Sequence, residues 1–159
     1  MYKRQLYINT PARYRRAVER FRRAATEAGR DPGRLPVSLL IPTFIHDHLP
    51  TARKAAREFL VHYARWPHYA KTFEASGYAR EMAQVASAYT AGDLATAMSA
   101  LSDALLDDVL LLGPPSRIRE GIARLAEAGV EWITLGPQAV ASESLAQQAE
   151  RMTATLAPR

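Results

Sequence analysis

Gly113-Pro-Pro-Ser-Arg-Ile-Arg-Glu-Gly-Ile-Ala-Arg-Leu-Ala-Glu-Ala-Gly-Val-Glu-Trp-Ile-Thr-Leu-Gly136 spells a complete α/β unit in chain order. Pro114 and Pro115 open the segment, and Ile118, Ile122, Leu125 and Ala126 recur at helical spacing. That spacing puts one apolar stripe on a helix. Gly129 stands where a helix C-terminus takes a left-handed residue, and Val130 to Leu135 reads as a short buried strand closed by Gly136-Pro137. A helix that feeds a strand with so short a loop belongs to α/β architecture.

Upstream, Val37-Ser-Leu-Leu-Ile-Pro-Thr-Phe-Ile45 is nearly continuous apolar sequence, as in a parallel strand covered on both faces. Pro42 falls toward its end, where proline is tolerated. Before it, Thr10-Pro11 starts a helix, with threonine placed to cap and proline in the first turn. Tyr14, Val18, Phe21, Ala25 and Ala28 form its predicted buried face, and Gly29 stops it. After the strand come a helix from Thr51 to Tyr63, an aromatic break from Tyr63 to Lys71, and helices from Ala79 to Thr90 and from Asp93 to Leu112. A final helix runs roughly from Ser142 to Leu156, with Leu145, Ala149, Met152 and Leu156 facing inward. Two clear strands, or three, thus stand among many helices.

Composition excludes several classes of function. No apolar run approaches the roughly 18 residues of a membrane span, and no signal-peptide pattern is present, so a cytoplasmic protein without a membrane partner is expected. Cysteine is absent, which removes disulfides, thiolate nucleophiles and Cys-ligated metal sites. The formal charge is +5, and Lys3 and Arg4 supply two of those charges. Arg13, Arg15, Arg16, Arg20, Arg22 and Arg23 crowd the outside of the first helix. Clustered arginines can neutralise phosphates, so a small helical, Arg-rich interaction or nucleic-acid-binding protein is one alternative. No stacking platform or binding motif accompanies them, and Glu19 is spaced to pair with Arg15, Arg16, Arg22 or Arg23. A solvated outer helix and no nucleic-acid partner are therefore expected. His46-Asp47-His48 has the residue types of a zinc or iron site. Residues i and i+2 do not converge on one helix face, and no third ligand is near in sequence, so a polar turn without metal is the expectation. The chain has no glycine-rich phosphate loop and no Gly-x-Ser-x-Gly elbow.

The Gly-Pro-Pro turn, the amphipathic helix, Ala128-Gly-Val130 and the closing strand are similar to the last helix and strand of the barrel in the luciferase-like monooxygenase family. Ala28-Gly-Arg-Asp-Pro32, followed by a strand from Pro36 to Ile45, resembles that family's turn before its seventh strand. Tyr63 to Gly77 and Asp103 to Gly113 resemble the helical stretch between strands seven and eight in members that use a deazaflavin. The resemblance runs from about Leu6 to Gln138 and covers only the second half of the family's domain. It implies an α/β fold: the C-terminal fragment of a (β/α)8 TIM barrel of the bacterial luciferase-like type, helix-rich, with two or three parallel strands. Residues 6–159 are then the C-terminal half of one domain. Met1-Tyr-Lys-Arg-Gln5 looks like the translation of a sequencing adapter, which places the chain in a gene truncated at its 5′ end.

The resemblance also implies function. It points to an oxidoreductase that passes a hydride between coenzyme F420 and a small organic substrate, with an FMN-dependent monooxygenase of the same family as the alternative. In such enzymes the ring sits at the C-terminal mouth of the barrel. By position, Asn9, Thr10, Thr43 and Phe44, with Ile45 beside them, are candidates for the cofactor rim. The aromatic break lies over the mouth in the family, which makes Tyr63, Trp66, His68 and Tyr69 candidates for substrate contact. For both sets the alternative is packing. No catalytic residue carries over, because the family's most diagnostic positions have no counterpart in this sequence. A fragment of this kind is expected to be inactive alone and to self-associate, and the whole enzyme is open to homo-oligomerisation.

Overall fold

Ser38–Ile45 forms the middle strand, β1, of a three-stranded parallel sheet. Leu111–Gly113 (β2) pairs with its C-terminal end, from Thr43↔Leu111 to Ile45↔Gly113. Trp132–Pro137 (β3) pairs along the rest, from Ser38↔Trp132 to Thr43↔Pro137. The structure is a computed structural model and describes residues 8–156. The stretch read as adapter lies outside the described residues.

Helices flank the sheet unequally. Leu39, Ile41 and Ile45 point to one face and, with Leu111, pack on α1 (Pro11–Glu27), α7 (Pro115–Glu127) and α8 (Leu145–Leu156) through Tyr14, Ile118, Leu125 and Met152. On the other face Phe44 and Leu112 enter the core of a helical excursion. It comprises α2 (Leu49–Ala64), α3 (Pro67–Phe73), a π turn (Glu74–Tyr78), α4 (Ala79–Thr90), α5 (Leu94–Ser99) and α6 (Asp103–Val109). By strand alternation Ser38, Leu40, Trp132 and Thr134 share that second face at its N-terminal half. The excursion does not cover them: Trp132 is 67% exposed.

Several expectations give way to local chemistry. The strand expected to be buried is half exposed and begins two residues later, at Trp132. The stretch expected to be helical from Asp93 to Leu112 does start at Asp93, which accepts from Thr96 N at 2.9 Å, and is divided at Ser102, which caps α6 by accepting from Leu105 N at 3.1 Å. Its last residues turn extended at Leu110 and become β2. Thr10 does occupy the N-cap of α1, but its carbonyl, not its hydroxyl, meets the first turn. Phe21 and Ala28, expected inside, lie exposed beyond the reach of the sheet, as does Ala126 on α7. α8 starts at Leu145 rather than Ser142, because Ser144 and Gln147 form a reciprocal capping box. Leu145 and Ala149 face solvent, and Gln148 takes the inward place between them.

Glycine decides the closest approach. A Cβ on Gly121 would stand 2.3 Å from Leu111 Cδ2, so any larger residue there would force the Leu111 side chain to move. Gly29, at φ +67°, ends α1 where the sequence placed the stop.

Candidate functional site

The C-terminal ends of parallel strands are where this architecture gathers its ligand-binding groups. At that end of β1, Thr43 is fully buried and its hydroxyl donates to Ile41 C=O at 3.1 Å. Phe44, also buried, meets Phe59 of α2 edge-on, with ring centroids 5.5 Å apart. Four residues on, one helical turn away, Tyr63 stacks at 4.8 Å from Phe59. Pro67 then opens α3 and swings Tyr69 back, so that its ring stands perpendicular to Tyr63 at 5.2 Å. His68 and Phe73 flank Tyr69 at 5.5 and 6.4 Å. The expected aromatic break is thus one continuous row rooted in the strand end, with Tyr63 and Tyr69 half-buried and His68 exposed.

The segment before α1 joins the row. Ile8 has φ +53°, a left-handed conformation that a β-branched residue rarely adopts, and is fully buried. Next to it, Asn9 N–H donates to the Tyr14 phenol at 3.1 Å, and Arg13 Nε donates to Asn9 Oδ1 at 3.1 Å. Asn9 and Thr10 are both buried. Burial, above all, pushes the Tyr14 phenol well above the usual tyrosine range, with the Asn9 bond opposing and Tyr69 adding to it. The Tyr69 phenol is raised too, first by burial and then by Tyr63. Three phenols near enough to influence one another therefore converge from α1, α2 and α3.

Other candidates lie elsewhere. Trp66 is 55% exposed and stacks on Arg65, whose guanidinium is 5.0 Å from its ring centroid and 5.8 Å from that of Tyr89. It belongs beside an open cleft of about 340 Å³ lined by His62, Arg65, Tyr89, Gly92 and Leu94, and not to the aromatic row. His46-Asp47-His48 forms a turn whose three side chains have separate partners. His46 Nδ1 accepts the His48 N–H at 3.0 Å, His48 Nδ1 meets Thr51 Oγ1 at 2.9 Å, and Asp47 pairs with Arg151 at 2.5 Å. On the outer helix, Arg22 pairs with Glu131 and Arg23 with Glu27.

The family model described as luciferase-like monooxygenase matches residues 5–131. The chain belongs to the luciferase-like monooxygenase family. Among solved structures it is similar to the coenzyme F420-dependent tetrahydromethanopterin reductase of Methanopyrus kandleri, with a TM-score of 0.73 at 20% sequence identity. That likeness covers 89% of this chain and 41% of the reductase, so the chain spans less than half the length of that relative. No curated protein matches the sequence. The helix-rich α/β fold with three parallel strands is therefore part of a luciferase-like barrel. The sheet also sets aside the all-helical alternative.

Two parts of this luciferase-like chain escaped sequence reading. Arg53 and Arg57 of α2 pair with Asp103 of α6, and Arg53 and Arg117 of α7 pair with Asp107, which ties the excursion to the sheet layer. Arg53 Nε and Asp107 Oδ1 are buried in that network without a hydrogen-bond partner among the described residues. The other is Gln148, fully buried and bonded to both backbone groups of Ile45. Its only signal in the sequence was a polar residue at an inward helical position.

Proposed function

We propose that this chain carries one wall of the active site of an oxidoreductase that transfers a hydride between coenzyme F420 and a small organic substrate. The observation that carries the reading is the aromatic row rooted at Phe44, standing at the C-terminal end of a parallel strand in a luciferase-like fold. The likeness to an F420-dependent reductase supports the choice of coenzyme.

The residues present fit a flat, conjugated ring along one wall. Tyr63, Tyr69 and His68 offer ring faces and edges within reach of solvent, and the buried polar pair Asn9 and Thr10 stands near them through Tyr14. Phe44 is closed off and supports the wall from below, and Thr43, also buried, lies on the opposite face of β1 by strand alternation. Trp66, outside the row, has no part in it. When bound, a deazaflavin supplies a hydride carrier that reacts poorly with oxygen, because carbon replaces the flavin N5. The protein's share is to orient, to exclude water and to hold protons. The Tyr69 phenol is protonated at neutral pH, as any tyrosine is, and burial favours that form further, so it offers the site a hydrogen-bond donor. The excursion, clamped by Arg53, Arg57 and Asp103, keeps water from the strand ends.

The family description itself favours a second reading, an FMN-dependent monooxygenase. In either case the partner is a small molecule, with no nucleic acid, metal or membrane involved, and the whole enzyme is a cytoplasmic oxidoreductase open to homo-oligomerisation. Among the described residues, no helix is long and apolar enough to cross a membrane. To test the reading, the reading frame is extended upstream of Leu6 in the source DNA and the encoded enzyme is titrated with F420 and with FMN, following fluorescence. F420 binding without oxygen consumption is the expected result. FMN binding with oxygen uptake selects the monooxygenase, and binding of neither overturns both.

A further inference from the structure

β1 continues one rung beyond the end of β3, and a side chain of α8 completes that rung. The odd-numbered backbone groups of β1 face β3: Val37 C=O accepts the Trp132 N–H, and Thr43 C=O accepts the Gln138 N–H, each at 3.0 Å. The next rung is Ile45. Its N–H donates to Gln148 Oε1 at 3.1 Å, and its C=O accepts from Gln148 Nε2 at 3.0 Å. A primary carboxamide carries the donor and acceptor of a peptide group, so it stands in for a neighbouring strand. Gln148 Nε2 also donates to Glu143 Oε2 at 2.6 Å. Glu143 Oε1 in turn accepts from Arg151 at 2.9 Å, and Arg151 reaches Asp47 beyond the strand end. On the opposite edge, His46 N–H donates to Gly113 C=O at 3.0 Å.

We infer that Gln148 is a positioning residue of the site: it fixes the backbone of Ile45 and thereby the direction of Phe44, on which the row Phe59, Tyr63 and Tyr69 leans. Its effect on ligand binding rests on the proposed function; its effect on the strand end does not.

Gln148→Leu keeps the volume and removes both bonds. Exchange of the Ile45 amide should accelerate about tenfold or more, with the Leu39 and Ile41 amides unchanged and the near-UV circular dichroism of the aromatic row reduced. Gln148→Glu separates positioning from filling. The introduced carboxyl faces the Ile45 carbonyl and the Glu143 carboxylate, with Arg151 and Asp47 beyond. Protonated, it keeps both Ile45 bonds by donating its one O–H to the Ile45 carbonyl and accepting the Ile45 N–H, while the amide's second donor, which Glu143 accepts, is lost. Ionised, it cannot donate and meets two negative groups, so folding raises its pKa. Protection of Ile45 should therefore be near wild type at low pH and fall about tenfold as pH rises through that titration, a step larger than any in the wild-type protein. If Gln148→Leu does not fold, the pH series of Gln148→Glu carries the test alone. Unchanged Ile45 exchange in Gln148→Leu, acceleration shared equally with Leu39 and Ile41, or a pH-independent Gln148→Glu overturns the inference. Failure of the wild-type enzyme to bind F420 or FMN counts against the proposed function only, and the exchange data still decide on Gln148.

Discussion

Gly121 sets how deeply α7 can lie on β2, because a methyl group there would press into Leu111. Gly121→Ala should destabilise the protein by about 1–2 kcal/mol in urea unfolding, overpacking outweighing the gain in helix propensity. Leu111→Val in the same chain should recover part of the loss, since the obstructing atom is a side-chain end. Tyr14 yields a prediction in pH. Burial raises its phenol, and burial followed by the bond to Asp108, 2.6 Å away, raises that of Tyr78. A group raised in the folded state contributes stability below its unfolded value and loses it as pH climbs through the folded one. Thermal stability should then decline above about pH 10. Tyr14→Phe should flatten that decline and cost about 1–2 kcal/mol near neutrality by removing the buried hydroxyl that accepts from the Asn9 N–H.

Helix α6 carries the ion network that joins excursion and sheet. Asp107→Ala leaves Arg53 and Arg117 without this partner, and the expected cost is about 1–3 kcal/mol, read from denaturant midpoints at low and high salt. Elements with a periodic apolar stripe or a glycine stop were legible: α1, α2, α4, α7 and β1 stand close to where the sequence put them. β2 was not, because Leu110-Leu-Leu-Gly113 continues the apolar run of α6 and only its tertiary pairing with β1 makes it a strand. The site divides in the same way. Tyr63, His68 and Tyr69 could be grouped as one aromatic break and do meet, whereas Phe44, placed with a separate set, reaches them only through Phe59. Trp66 could not be separated from them, since it is the extended residue that caps α3, and its neighbours in sequence do not show which way that break turns its ring. Gln148 acts over 103 positions of sequence, a distance at which no local pattern reports.

At the scale of the whole fold, the half-face of Ser38, Leu40, Trp132 and Thr134 and the edge of β3, neither covered by the described residues, predict self-association of the chain by itself. Sedimentation should show concentration-dependent oligomers, and Trp132→Lys should shift them toward monomer; a sharp two-state melt of a monomer would count against this. The strand order has a temporal meaning as well. Of the three described strands β1 comes earliest in the chain yet stands in the middle, and its long partner begins at Trp132, 94 residues after Ser38. At ribosomal speeds of about 5–20 residues per second, β1 waits roughly 5–20 s for that partner. Early in that interval the local helices α2 to α6 form first, so the excursion is a folded unit before β2 and then β3 join β1. Ile41 and its neighbours meanwhile lack their β3 partner, so the nascent chain offers chaperones an apolar strand edge until Trp132 to Pro137 is made.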